Sequence, residues 1–91
     1  MGLFTRLPSV RLSEVGSKEQ IIDVREPHEF SKAHLPNTRN IPLGKIADFE
    51  SQKRVYVICA SGMRSRQAVK VLRKKGIDAI NIKGGMIGNG K

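Results

Sequence analysis

The segment that decides the fold is RVYVICASGMRSRQAVKVLRKKG, residues 54–76. It opens with Val55-Tyr56-Val57-Ile58, the most apolar β-branched run of the chain, which predicts a central strand covered on both faces. The only cysteine, Cys59, ends this run, and a short turn containing Gly62 follows it. The segment therefore predicts a strand, a tight loop and a helix in succession, with the thiol at the carboxyl end of the strand.

The helix after the loop is amphipathic and basic. Ala68, Val71 and Leu72 form an apolar stripe with helical spacing. Gly76 is placed to end the helix. Basic residues 73–75 crowd its last turn, where the helix dipole favours cations.

Similar signals alternate along the rest of the chain. Further strands are predicted at residues 8–11, 20–24, 38–41 and 79–82. A helical turn is predicted to be capped by Ser13 and to end near Gly16. A helix is predicted from Pro27 to Ala33, with Phe30 directed inward. A short helix is predicted to contain Leu43, Ile46 and Ala47. This alternation predicts an α/β fold with a mainly parallel sheet. With 91 residues, we expect one domain spanning 1–91.

In such sheets, ligands bind outside the carboxyl ends of the strands, where Cys59 is predicted to lie. If residues 60–65 curl around the sulfur, their backbone N–H groups form an anion-binding concavity, and the helix start adds further donors. These surroundings lower a cysteine pKa and favour the nucleophilic thiolate. The alternative is a small buried cysteine with a structural role only. Its position between a strand and a basic helix favours the reactive interpretation.

Composition limits the partners and the location. The net charge of +9 favours small anions and acidic macromolecules. With no Trp and one Tyr, the chain is poorly supplied for stacking on nucleic-acid bases, so nucleic acid is an unlikely partner. A single cysteine cannot form an internal disulfide and suits the reducing cytoplasm. Residues 1–6 carry no targeting signal, and no apolar run is long enough to span a membrane.

The two histidines, the Asp23 and Arg25 pair and the C-terminal glycines carry weaker signals. We interpret His34 as a structural hydrogen-bonding residue and His28 as a surface residue, and no convincing metal-ligand set exists. Asp23 and Arg25 are expected to form a supporting pair near the loop. Residues 85–91 fit most of a phosphate-binding Gly-x4-Gly-Lys pattern but lack its Ser or Thr and its helix, so no nucleotide site is predicted.

One face of the basic helix is cationic, formed by Arg66, Lys70, Arg73 and Lys74. It is either a solvated surface or a docking surface for an acidic partner.

The loop resembles the active loop of the rhodanese sulfurtransferase family, Cys-x-x-Gly-x-Arg-Ser. The matching residues are Cys59, Gly62, Arg64 and Ser65. Two upstream segments also resemble family markers: Ile22 to Glu26 with the following Glu29-Phe30, and residues 33–42. The departures are Ala33 and Asn37 in place of the usual glycines, and no aromatic residue after Gly84-Gly85. Because the sequence stops at Lys91, a short or trimmed C-terminal helix is expected.

The resemblance covers nearly the whole chain and implies a five-stranded, mainly parallel sheet flanked by helices. It implies that Cys59 is catalytic and cycles through a persulfide, without a cofactor. The predicted substrate-binding residues are Ala60, Ser61, Gly62, Met63, Arg64 and Ser65. Arg64 either attracts the donor or braces the loop. The hydroxyls of Ser61 and Ser65 are potential hydrogen-bond donors, although Ser65 is equally placed to cap the helix.

The implied reaction moves sulfur from thiosulfate or a similar small anionic donor to cyanide, a thiol or a protein acceptor. Relatives that hydrolyse phosphoesters have one more residue between Cys and Arg, so the shorter loop predicts negligible phosphatase activity. The alternative function is a non-catalytic binding or redox-sensing module with an exposed thiolate. It would need a thiol from outside, because the chain has no second cysteine. A basic nucleic-acid-binding module ranks third.

Overall fold

A computed structural model describes residues 7–89. Residues 1–6 and 90–91 lie outside the described part. The prediction that residues 1–6 carry no targeting signal and the last two residues of the Gly-x4-Gly-Lys pattern therefore also lie outside it. The strands are β1 (Ser9–Val10), β2 (Gln20–Asp23), β3 (Thr38–Asn40), β4 (Val55–Ile58) and β5 (Ala79–Ile82). The α-helices are α1 (Pro27–Lys32), α2 (Met63–Lys74) and α3 (Gly85–Gly88), and 3-10 turns occur at Leu12–Glu14 and Leu43–Asp48.

The five strands form one parallel sheet in the order β1-β5-β4-β2-β3. The predicted fold class is therefore confirmed, and β4 is the central strand. The register places Asp23 of β2 beside Ile58 and Asn81 of β5 beside Val57. Because parallel strands end at the same edge, the residues that follow β2, β4 and β5 lie close together there.

The central strand is buried on both faces, as its sequence predicts. Val55, Val57 and Cys59 pack with α2 in one core cluster, whereas Tyr56 and Ile58 belong to a second cluster on the opposite face. This division follows from the two-residue period of a strand. It places Cys59 beneath the first turn of α2.

The buried face of α2 comprises Ser65, Ala68, Val69 and Leu72. This differs by one position from the predicted stripe, because Val71 lies at the edge of the contact and is only half-buried. Gly76 follows the end of the helix with φ of 90°, in the left-handed conformation that glycine adopts readily. Its predicted role in ending the helix is confirmed.

Two local predictions were wrong. Ser13 does not cap a helical turn: the turn starts at Leu12, and the backbone N–H of Arg11 donates to the Glu14 carboxylate at 2.7 Å. Phe30 does not enter the core, because α1 is short and has no fully buried residue. Its ring is half-buried and stacks on His34 at 3.7 Å between centroids.

In the described part of the chain, α1 ends at Lys32 rather than Ala33. No helix of these residues has the length and apolar character needed to cross a membrane.

Candidate active site

The loop between β4 and α2 curls around the sulfur of Cys59. The backbone N–H of Gly62 donates to Sγ at 3.0 Å, and that of Ser65 donates at 3.3 Å. Gly62 has φ of 106°, a left-handed conformation that costs most side chains about 1–2 kcal/mol. This conformation turns the chain sharply enough to begin α2 at Met63 directly above the sulfur.

The sulfur takes the place of a helix cap. Gly62 is the N-cap residue of α2, and no side chain caps the helix there. The N–H of Ser65, in the third helical position, is instead satisfied by the sulfur of Cys59. The alternative in which Ser65 caps the helix is therefore wrong. The positive end of the helix dipole faces the position where a thiolate charge resides.

The pKa of the Cys59 thiol is set by opposing effects. Burial raises the pKa, because it disfavours the charged thiolate. The Ser65 hydroxyl and the backbone N–H groups of Ser65, Gly62 and Ser61 lower it by hydrogen bonding to the sulfur. The hydrogen bonds outweigh burial, so the pKa of Cys59 lies below its ordinary value.

Helix α3 holds the first part of the loop from behind. The N–H groups of Met86 and Ile87 each donate at 2.8 Å, to the carbonyls of Cys59 and Ala60 respectively. Because the C=O and N–H of a trans peptide point in opposite directions, fixing these carbonyls turns the N–H groups of Ala60 and Ser61 away from α3. The short C-terminal helix thus orients the donors of the loop.

The backbones approach closely at this contact. A Cβ on Gly85 would lie 2.5 Å from the carbonyl oxygen of Cys59 and 2.6 Å from the carbonyl carbon of Ala60. Only glycine fits at this position without displacing the loop.

A side-chain network lies beneath the sulfur. The Ser65 Oγ is 3.5 Å from Sγ and 2.6 Å from Oδ1 of Asn81. Asn81 lies on the same face of the sheet as Val57 and Cys59, two strand positions from Ala79. Ser65 and Asn81 are both buried, and each has hydrogen-bond partners for its buried polar atoms.

Arg64 points away from the sulfur toward α1. Its guanidinium forms two hydrogen bonds to the Glu29 carboxylate, at 2.6 and 3.1 Å. The Arg64 hydrogen bond, followed by one from the Glu26 N–H, lowers the pKa of Glu29 to about 2. The pair therefore stays ionised at neutral pH and links α1 to the start of α2.

The predicted pair of Asp23 and Arg25 supports α1. Arg25 donates to both oxygens of the buried Asp23 carboxylate and, at 2.7 Å, to the carbonyl of Ala33 just after α1. This fixes the end of α1, the helix that carries Glu29. His34 has the structural role that the sequence predicts, since its Nδ1 lies 2.7 Å from the Phe30 carbonyl, and His28 is exposed as predicted.

The predicted site residues differ in exposure. Cys59 is 0 % exposed, so the expectation of an exposed thiolate was wrong. The sulfur instead lies against the Gly62 N–H, the Ser65 N–H and the Ser65 hydroxyl. Ala60 and Arg64 are half-buried, Gly62 and Ser65 are buried, and Ser61 and Met63 are exposed.

Three residues that contribute to the site were not identified from the sequence. Asn81 had a detectable signal, because a lone amide in the apolar run Ala79-Ile80-Asn81-Ile82 must find a partner when buried. The only sequence signal for Glu29 was its position in a segment that resembles a family marker. The only signal for Gly85 was its position in the Gly84-Gly85 pair. Their contacts to the loop arise from chain folding over long sequence separations.

The fold and the site together are those of a parallel α/β domain in which a cysteine follows the central strand and its sulfur lies at the start of a helix. The sequence model of the rhodanese-like domain matches residues 11–88. The chain belongs to this family, whose members include sulfurtransferases and sulfur carriers.

Individual relatives agree with this assignment. The chain is similar to the putative sulfurtransferase YtwF of Bacillus subtilis, with 33% identity over 81% of this chain and 76% of YtwF. It is 39% identical to the putative sulfur carrier protein YrkF of the same organism, over 72% of this chain and 38% of YrkF. The crystal structure of a rhodanese-like domain protein from Staphylococcus aureus has a TM-score of 0.80 and 34% identity, covering 88% of both chains. The match spans 58% of another Bacillus subtilis relative, the uncharacterized protein YqhL, so both YqhL and YrkF are considerably longer than the matched region.

Proposed function

We propose that this protein is a sulfurtransferase that carries a sulfane sulfur as a persulfide on Cys59. The observation that supports this most directly is the pair of N–H donors aimed at Sγ from Gly62 and Ser65 at the start of α2. Donors in this arrangement stabilise an anionic sulfur. They suit both the attacking thiolate and the anionic product.

In the first step, the Cys59 thiolate attacks the outer sulfur of thiosulfate. A sulfur–sulfur bond forms between Sγ and the outer sulfur, and the bond between the outer sulfur and the sulfite group breaks. Sulfite leaves with the electron pair, so the charge carried by the thiolate is retained on the terminal sulfur of the persulfide. The loop N–H groups hold that negative charge.

In the second step, an acceptor thiolate attacks the terminal sulfur of the persulfide. The acceptor leaves as a persulfide, and Cys59 returns as a thiolate. Cyanide accepts the same sulfur to form thiocyanate. No cofactor enters either step, and a lone thiol suits the reducing cytoplasm as the site of the reaction.

The residues around the sulfur have different roles on this proposal. Residues 60–62 and Ser65 supply the donors that cradle the transferred sulfur, and the side chain of Met63 is exposed beside the loop. We assign Arg64 to bracing the loop rather than to attracting the donor. The support for this is its bidentate pairing with Glu29, which occupies the guanidinium.

The acceptor, on this proposal, is an acidic protein that docks beside the loop. Only two large apolar side chains of the described residues are exposed, Met63 at 71 % and Ile87 at 76 %. Met63 adjoins the N-cap of α2, and the Ile87 N–H contacts the Ala60 carbonyl. Both therefore lie at the loop, where they would contact a macromolecule rather than a small anion.

The cationic face of α2 continues from this apolar edge. Arg66, Lys70 and Lys74 are exposed and follow Met63 with helical spacing. Arg73, predicted as a fourth member, is already engaged by the Ala79 carbonyl at 3.0 Å and by Asp78 at 3.7 Å. We therefore assign three cations rather than four to the docking surface.

Intact-mass measurement after thiosulfate treatment tests the sulfur-carrying step. We expect wild-type protein to gain one sulfur atom that dithiothreitol removes, and Cys59→Ser to gain none. Because Ser retains the shape of the side chain, the variant serves as a matched control for adventitious sulfur. A wild-type protein that stays at its starting mass would contradict the proposal and favour a non-catalytic binding module.

A further inference from the structure

Asn81 carries a side-chain amide within the buried strand β5 and is 1 % exposed. Its Oδ1 faces the Ser65 Oγ at 2.6 Å, and its Nδ2 faces the Ser9 Oγ at 3.2 Å. The amide therefore bridges β1 and the active-site loop, through two hydroxyl groups.

The orientation of the amide is determined from the β1 side. The Ser9 hydroxyl donates to the carbonyl of Leu7 at 3.3 Å, and a carbonyl can only accept. With its only hydrogen used, Ser9 Oγ must accept from the Asn81 NH2 group. The carbonyl oxygen of the amide is consequently the end that faces Ser65.

Ser65 has one hydroxyl hydrogen and three acceptors within reach. The Asn81 Oδ1 is at 2.6 Å, the Gly62 carbonyl at 3.1 Å and the Cys59 Sγ at 3.5 Å. The shortest of these contacts directs the hydrogen to Asn81 and leaves an oxygen lone pair for the sulfur. A lone pair suits a thiol S–H, which donates, and does not suit a thiolate, which accepts.

We propose that Asn81 is a positioning residue that holds the Ser65 hydroxyl away from the sulfur and so restrains formation of the Cys59 thiolate. When Cys59 loses its proton, the Ser65 hydroxyl must turn from Asn81 toward Sγ to stabilise the charge. Backbone N–H groups favour the thiolate throughout, whereas the Ser65 hydroxyl stabilises it only by giving up its hydrogen bond to Asn81. The Asn81 side chain thus modulates the reactivity of the Cys59 sulfur through the Ser65 hydroxyl, without contacting the sulfur itself.

The charged groups on the elements around the sulfur form ion pairs with each other, and none of them is substituted in the experiment described below. Arg64 on α2 is paired with Glu29 on α1, and Arg25 is paired with Asp23 at the end of β2. The described polar contacts of Asn81 on β5 and of the α3 amides with the site involve no ionisable side chain.

The test measures the rate of Cys59 alkylation by iodoacetamide as a function of pH, with no sulfur donor present. Asn81→Leu removes the competing acceptor at similar volume. We expect its apparent thiol pKa to fall, with alkylation below the wild-type pKa faster by about threefold to tenfold, where tenfold corresponds to one pKa unit. Thermal unfolding verifies that the variant is folded.

A double-mutant cycle separates this role from a merely structural one. Ser65→Ala should raise the thiol pKa, and adding Asn81→Leu to Ser65→Ala should produce no further change, because there is no hydroxyl left to redirect. An Asn81→Leu pKa that is unchanged or raised overturns the proposal. A shift of equal size in both backgrounds also overturns it.

Ser9→Ala provides a second variant if Asn81→Leu does not fold. It frees the amide to turn its NH2 group toward Ser65, so the thiol pKa should again fall, and an unchanged pKa counts against the proposal. The inference concerns the same sulfur as the proposed function, but its readout needs no sulfur transfer. A failure of either one is therefore distinguishable from a failure of the other.

Discussion

The ion pair between Arg64 and Glu29 connects the loop to α1 through one carboxylate. Its oxygens accept from Arg64 at 2.6 and 3.1 Å, and one of them also accepts from the Glu26 N–H at 2.8 Å. Partly exposed pairs contribute about 1 kcal/mol when the geometry is bidentate. The pair thus fixes the direction of the first turn of α2 more than it stabilises the fold.

Glu29→Gln should lower the thermal midpoint by about 4–8 °C near pH 7, the change expected for about 1 kcal/mol in a domain of this size. The pKa of Glu29 is lowered from 4.5 to about 2, so its stabilisation is complete above pH 4.5 and is lost as the pH falls through about 2. The midpoints of wild type and variant, measured between pH 2 and 7, should therefore converge at the acidic end.

Glu19→Gln is the matched control, because Glu19 is an exposed carboxylate on the segment before β2. It should leave the free energy of unfolding unchanged within about 0.5 kcal/mol, so the midpoint should move by no more than about 2–4 °C. A Glu29→Gln protein with a wild-type midpoint across the whole pH range would show that the pair braces nothing.

Among the residues of the site, Cys59 and Gly62 were identifiable from the sequence because their signals are local. A thiol at the end of an apolar run and a glycine three residues later specify the loop by themselves. Glu29 and Asn81 reach the loop across 35 and 16 residues of sequence separation. No local pattern encodes such contacts, since they depend on which elements the sheet brings together.

At the scale of elements, the loop is held between two helices with different roles. Helix α2 supplies donors to the sulfur, and α3 holds the Cys59 and Ala60 carbonyls on the other side. The missing aromatic residue after Gly84-Gly85 did not prevent this arrangement. The contact is made by backbone groups, which the side-chain departure leaves in place.

Gly85→Ala should disrupt this contact. The added Cβ would meet the Cys59 oxygen at 2.5 Å, and φ of 57° already disfavours a side chain. We expect a loss of stability of about 2 kcal/mol or more. We also expect slower iodoacetamide alkylation of Cys59 at pH 7, because the displaced loop no longer aims its N–H groups at the sulfur.

Gly88→Ala is the control from the same helix, since a Cβ there meets nothing within 4 Å. It should preserve both the unfolding midpoint and the alkylation rate. Equal behaviour of the two variants would refute the role assigned to α3.

Asn37 illustrates how an element boundary tolerates a departure from the family pattern. It stands where the family usually has a glycine and adopts φ of 59°. Asparagine enters the left-handed region more readily than other non-glycine residues. The turn before β3 is therefore preserved despite the substitution.

At the scale of the whole molecule, an attraction due to the cationic face of α2 has to be separated from an attraction due to net charge. The loop and the start of α2 lie at the carboxyl edge, whereas Lys53 lies just before β4 at the opposite edge. With a net charge of +9, any anion is attracted to the protein in general. A docking surface requires an effect confined to the cationic face of α2.

Lys70→Glu with Lys74→Glu should slow sulfur transfer from persulfide-loaded protein to an acidic acceptor. The probe is a synthetic peptide with one cysteine flanked by glutamates, compared with the same peptide carrying glutamines. We expect a drop of about tenfold for the glutamate peptide at low salt, shrinking as salt screens the charges. Transfer to the glutamine peptide and to dithiothreitol should not change.

Lys18→Glu with Lys53→Glu makes an equal change of charge at exposed positions outside α2 and should have a much smaller effect. If it slows transfer as much as the paired substitution on α2, the attraction is a property of net charge and no docking surface exists. Loading by thiosulfate, followed by mass, verifies that each variant still carries the sulfur.

The sequence alone predicts the alternation of strands and helices, the central position of the strand from Val55 to Ile58, and the glycine turn that follows Cys59. These features depend on local preferences and on hydrophobic periods of two and 3.6 residues, which are readable along the chain. The tertiary structure was needed to show that Cys59 is buried, that Arg64 pairs with Glu29, and that the Asn81 amide lies 2.6 Å from the Ser65 hydroxyl. Those outcomes follow from sheet order and register, which bring distant residues within hydrogen-bonding distance.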